Sequence, residues 1–230
     1  MRPPYSEYAA PPIYIYPETR RPGVRFSATE IRQLLVAILA LSGAFTVLFV
    51  RYDPIYLQEP IILLFLFGVS LLSVGTGVGL HEIMHKIIAQ RYGLWAEFRY
   101  DLRGLALAFV FAFVGFIFGA PGATWISGMV TQEQNGRISA AGPVTNIVLG
   151  TAFLAAWIAT PVGSAASGLL SFALSEVAIV NVVLGGFNLI PIMPLDGAKV
   201  WHWNKGAWVA LVGITVVLLL MIFDPTLIAL

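Results

Sequence analysis

Long stretches without one ionisable side chain recur along this chain, at residues 34–50, 61–80, 104–130 and 177–195. A helix rising ~1.5 Å per residue needs about 20 apolar residues to cross a hydrocarbon layer ~30 Å thick, and these runs have that scale. Charged residues make up about a quarter of an ordinary soluble domain. Here they make up 11%, against 58% apolar residues, and the mean hydropathy is +0.84. The expected fold class is an all-α polytopic membrane protein with about five or six transmembrane helices. Its 230 residues suit one helical domain. The absence of cysteine excludes disulfides, thiolate zinc ligands and iron–sulfur chemistry. A net charge of +1, with no basic stripe interleaved with aromatics, argues against nucleic acid as a partner.

Residues 1–30 are rich in Pro, Tyr and Arg and lack the apolar core and cleavage site of a signal peptide, so they read as an extended tail ahead of a single membrane domain, 31–230. The first span is expected at 34–50. Pro60 then opens a helix predicted to run from 61 to about 91, over 40 Å at 1.5 Å per residue, so that its end reaches the far interface. Within it, Gly75-Thr76-Gly77-Val78-Gly79 superficially resembles a phosphate loop but lacks a preceding strand. Gly75 and Gly79, four apart, instead match close helix packing. Residues 96–101 alternate, with Glu97, Arg99 and Asp101 on one face and Phe98 and Tyr100 on the other, which predicts a short strand. The stretch from Gly104 to Val130 is uncharged but broken by Gly115, Gly119 and Pro121-Gly122. It is either a span or part of a small membrane-associated β-hairpin region that re-enters and returns.

The chemistry is concentrated in His81-Glu82-Ile83-Met84-His85. On a helix, two histidines four apart lie one turn from each other on the same face, so both imidazoles can reach a single Zn²⁺. Glu82 is then adjacent to accept a proton from an activated water. Ionisable groups inside an apolar helix cost ~2.5–3.5 kcal/mol each on insertion scales, which makes them functional candidates by default. Two histidines leave a catalytic zinc one protein ligand short of the usual three. Asp196 is the only carboxylate between Glu176 and Asp224, and it follows Pro191 and Pro194, which would break a helix and let the backbone turn. His202 competes for the role, but it stands between Trp201 and Trp203, in what reads as an interfacial aromatic belt.

Three blocks, in order, resemble the site-2 proteases, zinc metalloproteases that cut within membranes. They are His81-Glu82-Ile83-Met84-His85, Ala141-Gly142-Pro143-Val144-Thr145-Asn146, and Phe187 through Gly197 with Asn188 and Asp196, and the likeness extends over roughly 61–200. The resemblance implies that His81, His85 and Asp196 bind Zn²⁺ and that Glu82 is the general base. It implies that Asn146 steadies the substrate or oxyanion, with Asn181 and Asn188 as further polar contacts. The partners it implies are a membrane-spanning protein substrate and the lipid bilayer. Ala198 and Lys199 follow Gly197, where the family often has another Gly, and no long polar insert is present.

Charge helps choose the topology. If 104–120 dips in and returns, 12 of the 13 Lys and Arg residues fall on the cytoplasmic side, Arg51 being the exception; if it spans, nine do. A spanning segment would also put Asp196 across the membrane from His85. Five spans plus a dipping segment are therefore expected, with the N-terminus and active-site face cytoplasmic, in a prokaryotic plasma membrane. The segment near Phe98 to Asp101, or the hairpin after it, is expected to pair with an unwound substrate strand. The alternatives to proteolysis are a catalytically silent binder of membrane segments and a metal or ion transporter.

Overall fold

The computed structural model describes residues 23–117, 119, 121–161 and 163–224. Most of the expected tail lies outside these residues, and its last three, 28–30, already belong to the first helix. The elements are α1 (Ala28–Tyr52), α2 (Pro60–Val74), α3 (His81–Arg91), β1 (Trp95–Tyr100), α4 (Leu102–Val114), β2 (Gly122–Ser127), α5 (Gln132–Ile158), α6 (Ala165–Asn188), α7 (Asp196–Trp203) and α8 (Lys205–Phe223). Five helices among the described residues are long and apolar enough to cross a membrane: α1, the continuous Pro60–Arg91 rod, α5, α6 and α8. The chain is a multi-pass membrane protein.

Local chemistry sets the helix ends. Ser27 accepts from Glu30 N at the start of α1, Thr131 and Gln134 form a capping box on α5, and Asn204 accepts from Ala207 N on α8. Pro60 occupies the first turn of its helix, where a missing N–H breaks no bond.

Between α2 and α3 the rod passes through a π-helical turn, Gly75–Leu80. The glycines serve packing, though not in the pair expected. A Cβ on Gly75 would meet nothing within 4 Å, whereas one on Gly77 would lie 3.2 Å from Val180 of α6 and one on Gly79 2.9 Å from Ile38 of α1. The wider turn alters the α-helical register on which the four-residue spacing depends, and it seats the rod between two neighbours.

The uncharged length after β1 does not cross the membrane. α4 has 13 residues, about 20 Å at 1.5 Å per residue, and its far end meets the end of α1, where Arg51 Nε donates to Phe113 O and Tyr52 OH to Gly115 O. Gly115, at φ +114, ends the helix in a left-handed conformation that costs glycine little. The chain then returns, so that Asp101 N donates to Pro121 O at 2.9 Å, and β2 pairs antiparallel with β1 in the register Phe98↔Thr124. A re-entrant segment closed by a two-stranded sheet is thus the observed form, and it brings α3, the sheet, the start of α5, the end of α6 and α7 to one end of the bundle.

Candidate metal centre

The first half of α3 presents four polar side chains, His81, Glu82, His85 and Lys86, on two adjoining faces. Glu82 and Lys86, one turn apart, hold opposite edges of the sheet. Lys86 Nζ donates to Glu30 Oε2 at 2.5 Å and to Ala96 O at 2.9 Å, while Glu30 Oε1 accepts from Phe98 N at 3.0 Å. Both members of this ion pair are about 1% exposed, and a charge taken so far from water requires such full pairing. Gln33 Oε1 accepts from Tyr100 N, and Gln90 Nε2 also donates to Ala96 O. Side chains therefore close the outer edge of β1. This corrects the expectation that the Phe98–Asp101 segment itself receives a substrate strand. Among the described residues the outer edge of β2 pairs with no backbone, and there Glu82 Oε2 accepts from Thr124 N and Thr124 Oγ1, each at 2.8 Å.

His81 and His85 occupy the other face and meet Asp196 of α7. His85 Nε2 lies 3.0 Å from His81 Nε2, and Asp196 Oδ2 lies 3.3 Å and 3.0 Å from those two nitrogens. All three residues are buried. The helix break at Pro191 and Pro194 gives Asp196 this position, since α6 ends at Asn188 and α7 begins at Asp196 itself.

The tautomers follow from the surroundings. His85 Nδ1 is 2.7 Å from Ile138 O, an acceptor only, so Nδ1 carries a proton, and in the neutral ring that metal binding requires Nε2 presents a lone pair. His81 Nδ1 is 2.5 Å from Asn146 Oδ1, and Asn146 Nδ2 donates to Gly77 O and to Asn181 Oδ1, so the amide cannot be reversed and His81 Nε2 is likewise bare. Asn181 Nδ2 in turn donates to Val177 O and Thr76 Oγ1. With both rings neutral, two lone pairs and a carboxylate oxygen at these separations repel one another unless a cation lies between them. A tetrahedral ion bonded at ~2.0–2.1 Å sets its ligand atoms about 3.3 Å apart, close to the spacing found. Lys199 Nζ lies 3.4 Å from Asp196 Oδ1.

The asparagines have a different place from the one expected. Both amide hydrogens of Asn146 go to Gly77 O and Asn181 Oδ1, and its oxygen goes to His81, so it has no donor left for an oxyanion. It orients a histidine, as partners of metal-binding imidazoles commonly do. Asn181, fully buried in the same network, cannot contact a substrate strand either. Asn188 is half-buried and lines a cleft of about 400 Å³ together with His81, Glu82, Asp101, Gly122 and Leu195. His202 is exposed, its carbonyl accepting from Gln132 Nε2, and it does not join the cluster.

Gly142, in the Ala141–Asn146 block, also belongs to the site, although a glycine carries no chemical signal of its own. A Cβ on Gly142 of α5 would fall 2.5 Å from both His81 Nε2 and His85 Nε2. The bare backbone of that helix turn is the wall against which the two imidazoles converge.

No protein-family model matches the chain, and no solved structure does. Among curated proteins it is 37% identical over 195 residues to a Methanocaldococcus jannaschii protein provisionally named a zinc metalloprotease, an alignment spanning 84% of this chain and 93% of the relative. A second protein of that organism, named a zinc metalloprotease, is 28% identical over 54% of this chain. One from Mycobacterium tuberculosis, provisionally named the zinc metalloprotease Rip3, is 30% identical over 54% of this chain. The alignments span 30% and 28% of those two relatives. The first match covers nearly the whole of a metalloprotease relative, the buried His-His-Asp group suits zinc, and the helices are those of a membrane protein. This chain belongs to the site-2 protease family of zinc metalloproteases.

Proposed function

We propose that this protein is an intramembrane endopeptidase, hydrolysing a peptide bond within or beside the transmembrane segment of a membrane-anchored protein. The observation that carries the reading is the convergence of His81 Nε2, His85 Nε2 and Asp196 Oδ2 beside Glu82 and an open cleft, with both histidines on a helix long and apolar enough to cross a membrane. In this reading His81, His85 and Asp196 hold the zinc, within a single membrane domain, 31–230, whose catalytic core is about 61–200. Bound zinc supplies Lewis acidity for the scissile carbonyl and lowers the pKa of water from ~15.7 to about 7. Asn146 and Ile138 keep the protons on the Nδ1 atoms, so both Nε2 lone pairs stay directed inward. Glu82 takes a proton from the attacking water and delivers one to the departing amine.

A transmembrane helix resists hydrolysis because its carbonyls are already hydrogen-bonded and water is scarce around it. The substrate must unwind. The outer edge of β2, running beside Glu82, offers backbone groups with which an extended segment can pair. The skewed distribution of Lys and Arg supports a cytoplasmic position for this end of the bundle and for the N-terminus, in a prokaryotic plasma membrane.

The test compares zinc content and cleavage of a single-span substrate for the wild type, Glu82→Gln and Asp196→Ala in detergent. The reading expects about one zinc per chain in the wild type and Glu82→Gln, cleavage by the wild type alone, and weakened zinc binding in Asp196→Ala. Cleavage by Glu82→Gln at the wild-type rate would overturn it. Metal flux through sealed vesicles that survives Glu82→Gln would point instead to transport.

A further inference from the structure

The sheet has one central pair, Phe98↔Thr124, in which neither N–H is used within the ladder. The Phe98 N–H points off the β1 edge to Glu30, and the Thr124 N–H points off the β2 edge to Glu82. The pair is thus held between two carboxylates, one belonging to a buried ion pair and the other to the proposed base. Thr124 adds a second contact, since its Oγ1 lies 2.8 Å from Glu82 Oε2 and 3.0 Å from Glu82 O. One hydroxyl proton serves one acceptor at a time, and of the two the carboxylate oxygen is the shorter contact.

We infer that Thr124 is the positioning residue for Glu82, pinning Oε2 so that Oε1 handles the proton, and that its hydroxyl is the tether that survives substrate binding. This rests on the reading of Glu82 as the base. Both Thr124 contacts fall on Oε2, and no described residue hydrogen-bonds Glu82 Oε1. The two donors differ in what a substrate does to them. The N–H belongs to the open edge of β2, so the carbonyl of an extended substrate pairing there takes it over. The hydroxyl lies off the ladder and remains on Glu82. The β-strand thereby carries both the groups that receive the substrate and the group that aims the base, and a shift of one relative to the other is prevented by covalent geometry. The strand that carries Thr124 pairs with β1, which Glu30 and Lys86 anchor on its far edge, so the tether is backed by a fixed partner strand.

The experiment measures kcat, KM and zinc content for Thr124→Val, Thr124→Ser and Glu82→Gln in the full-length, zinc-loaded protein, with a single-span substrate. Val is nearly isosteric with Thr and keeps the N–H. We expect Thr124→Val to lower kcat by about 10- to 100-fold, with KM and zinc content within about twofold of the wild type. Thr124→Ser, which restores the donor, should return kcat to within about threefold. If Val reduces zinc content, Thr124→Ala is read in its place against the same thresholds. A Val variant with wild-type kcat, or a Ser variant as impaired as Val, overturns the inference. Cleavage by Glu82→Gln would instead overturn the reading of the base, so the two failures are distinguishable.

Discussion

Replacing Gly142 with Ala tests the metal centre without touching any proposed ligand. The new Cβ would sit 2.5 Å from both Nε2 atoms and 2.6 Å from His81 Cε1, whereas ordinary contact begins at 3.4 Å, so the rings must retreat by about 0.9 Å (3.4 − 2.5). They cannot do so freely, because His81 Nδ1 is held at 2.5 Å by Asn146 and His85 Nδ1 at 2.7 Å by Ile138. Metal–ligand distances tolerate only ~0.2 Å. Without metal, each ring can give up one hydrogen bond and swing aside, whereas ligation fixes both Nε2 atoms, so much of the strain falls on metal binding. Overpacking of this kind costs roughly 1–3 kcal/mol, which corresponds to zinc affinity weaker by about 5- to 150-fold. The assay is competition for zinc against a chelating indicator, with thermal stability measured alongside. Gly75→Ala is the matched control, since that Cβ meets nothing, and it should leave affinity unchanged. Zinc affinity in Gly142→Ala within about twofold of the wild type would refute the reasoning.

Four further outcomes are expected. Asn146→Ala should weaken zinc binding by about 10- to 100-fold, because His81 loses the partner that fixes its ring and proton, and a zinc titration checks it. Lys86→Met leaves Glu30 buried without its cation and should cost roughly 3–5 kcal/mol, read as a lower unfolding midpoint in detergent; adding Glu30→Gln should recover part of the loss. Lys199→Met removes a partly exposed pair worth at most about 1 kcal/mol, so zinc affinity should change by less than about fivefold in the same titration. Stripping the metal with a strong chelator should abolish cleavage, and added Zn²⁺ should restore it without refolding, as circular dichroism would report.

The periodicities that make the site legible are local. Four-residue spacing puts His81 and His85 on one face of any helix, and a charge-free run forces that helix into the membrane, so both were readable without knowing any neighbour. The proline break before Asp196 likewise announces a change of direction. The alternation at 96–101 predicts a strand, and β1 forms at Trp95–Tyr100. What spacing cannot give is the partner across the fold. Asn146 reads as a free polar side chain in its own helix, yet Gly77 and Asn181 take both its donors and leave its oxygen for His81. Thr124 sits in an uncharged run with nothing local to mark it.

The sequence by itself determined that the chain lies in a bilayer, that one long helix carries two histidines and a glutamate, and that a carboxylate follows a helix break, because each of these depends on chain neighbours and on transfer from water. Only the tertiary structure decided which edge of the sheet side chains close, that the segment after β1 turns back, that Gly142 lies against both imidazoles, and that an asparagine orients His81. Those depend on hydrogen bonds and close approaches between residues tens of positions apart. Their geometry is fixed by packing, and no repeat along the chain encodes it.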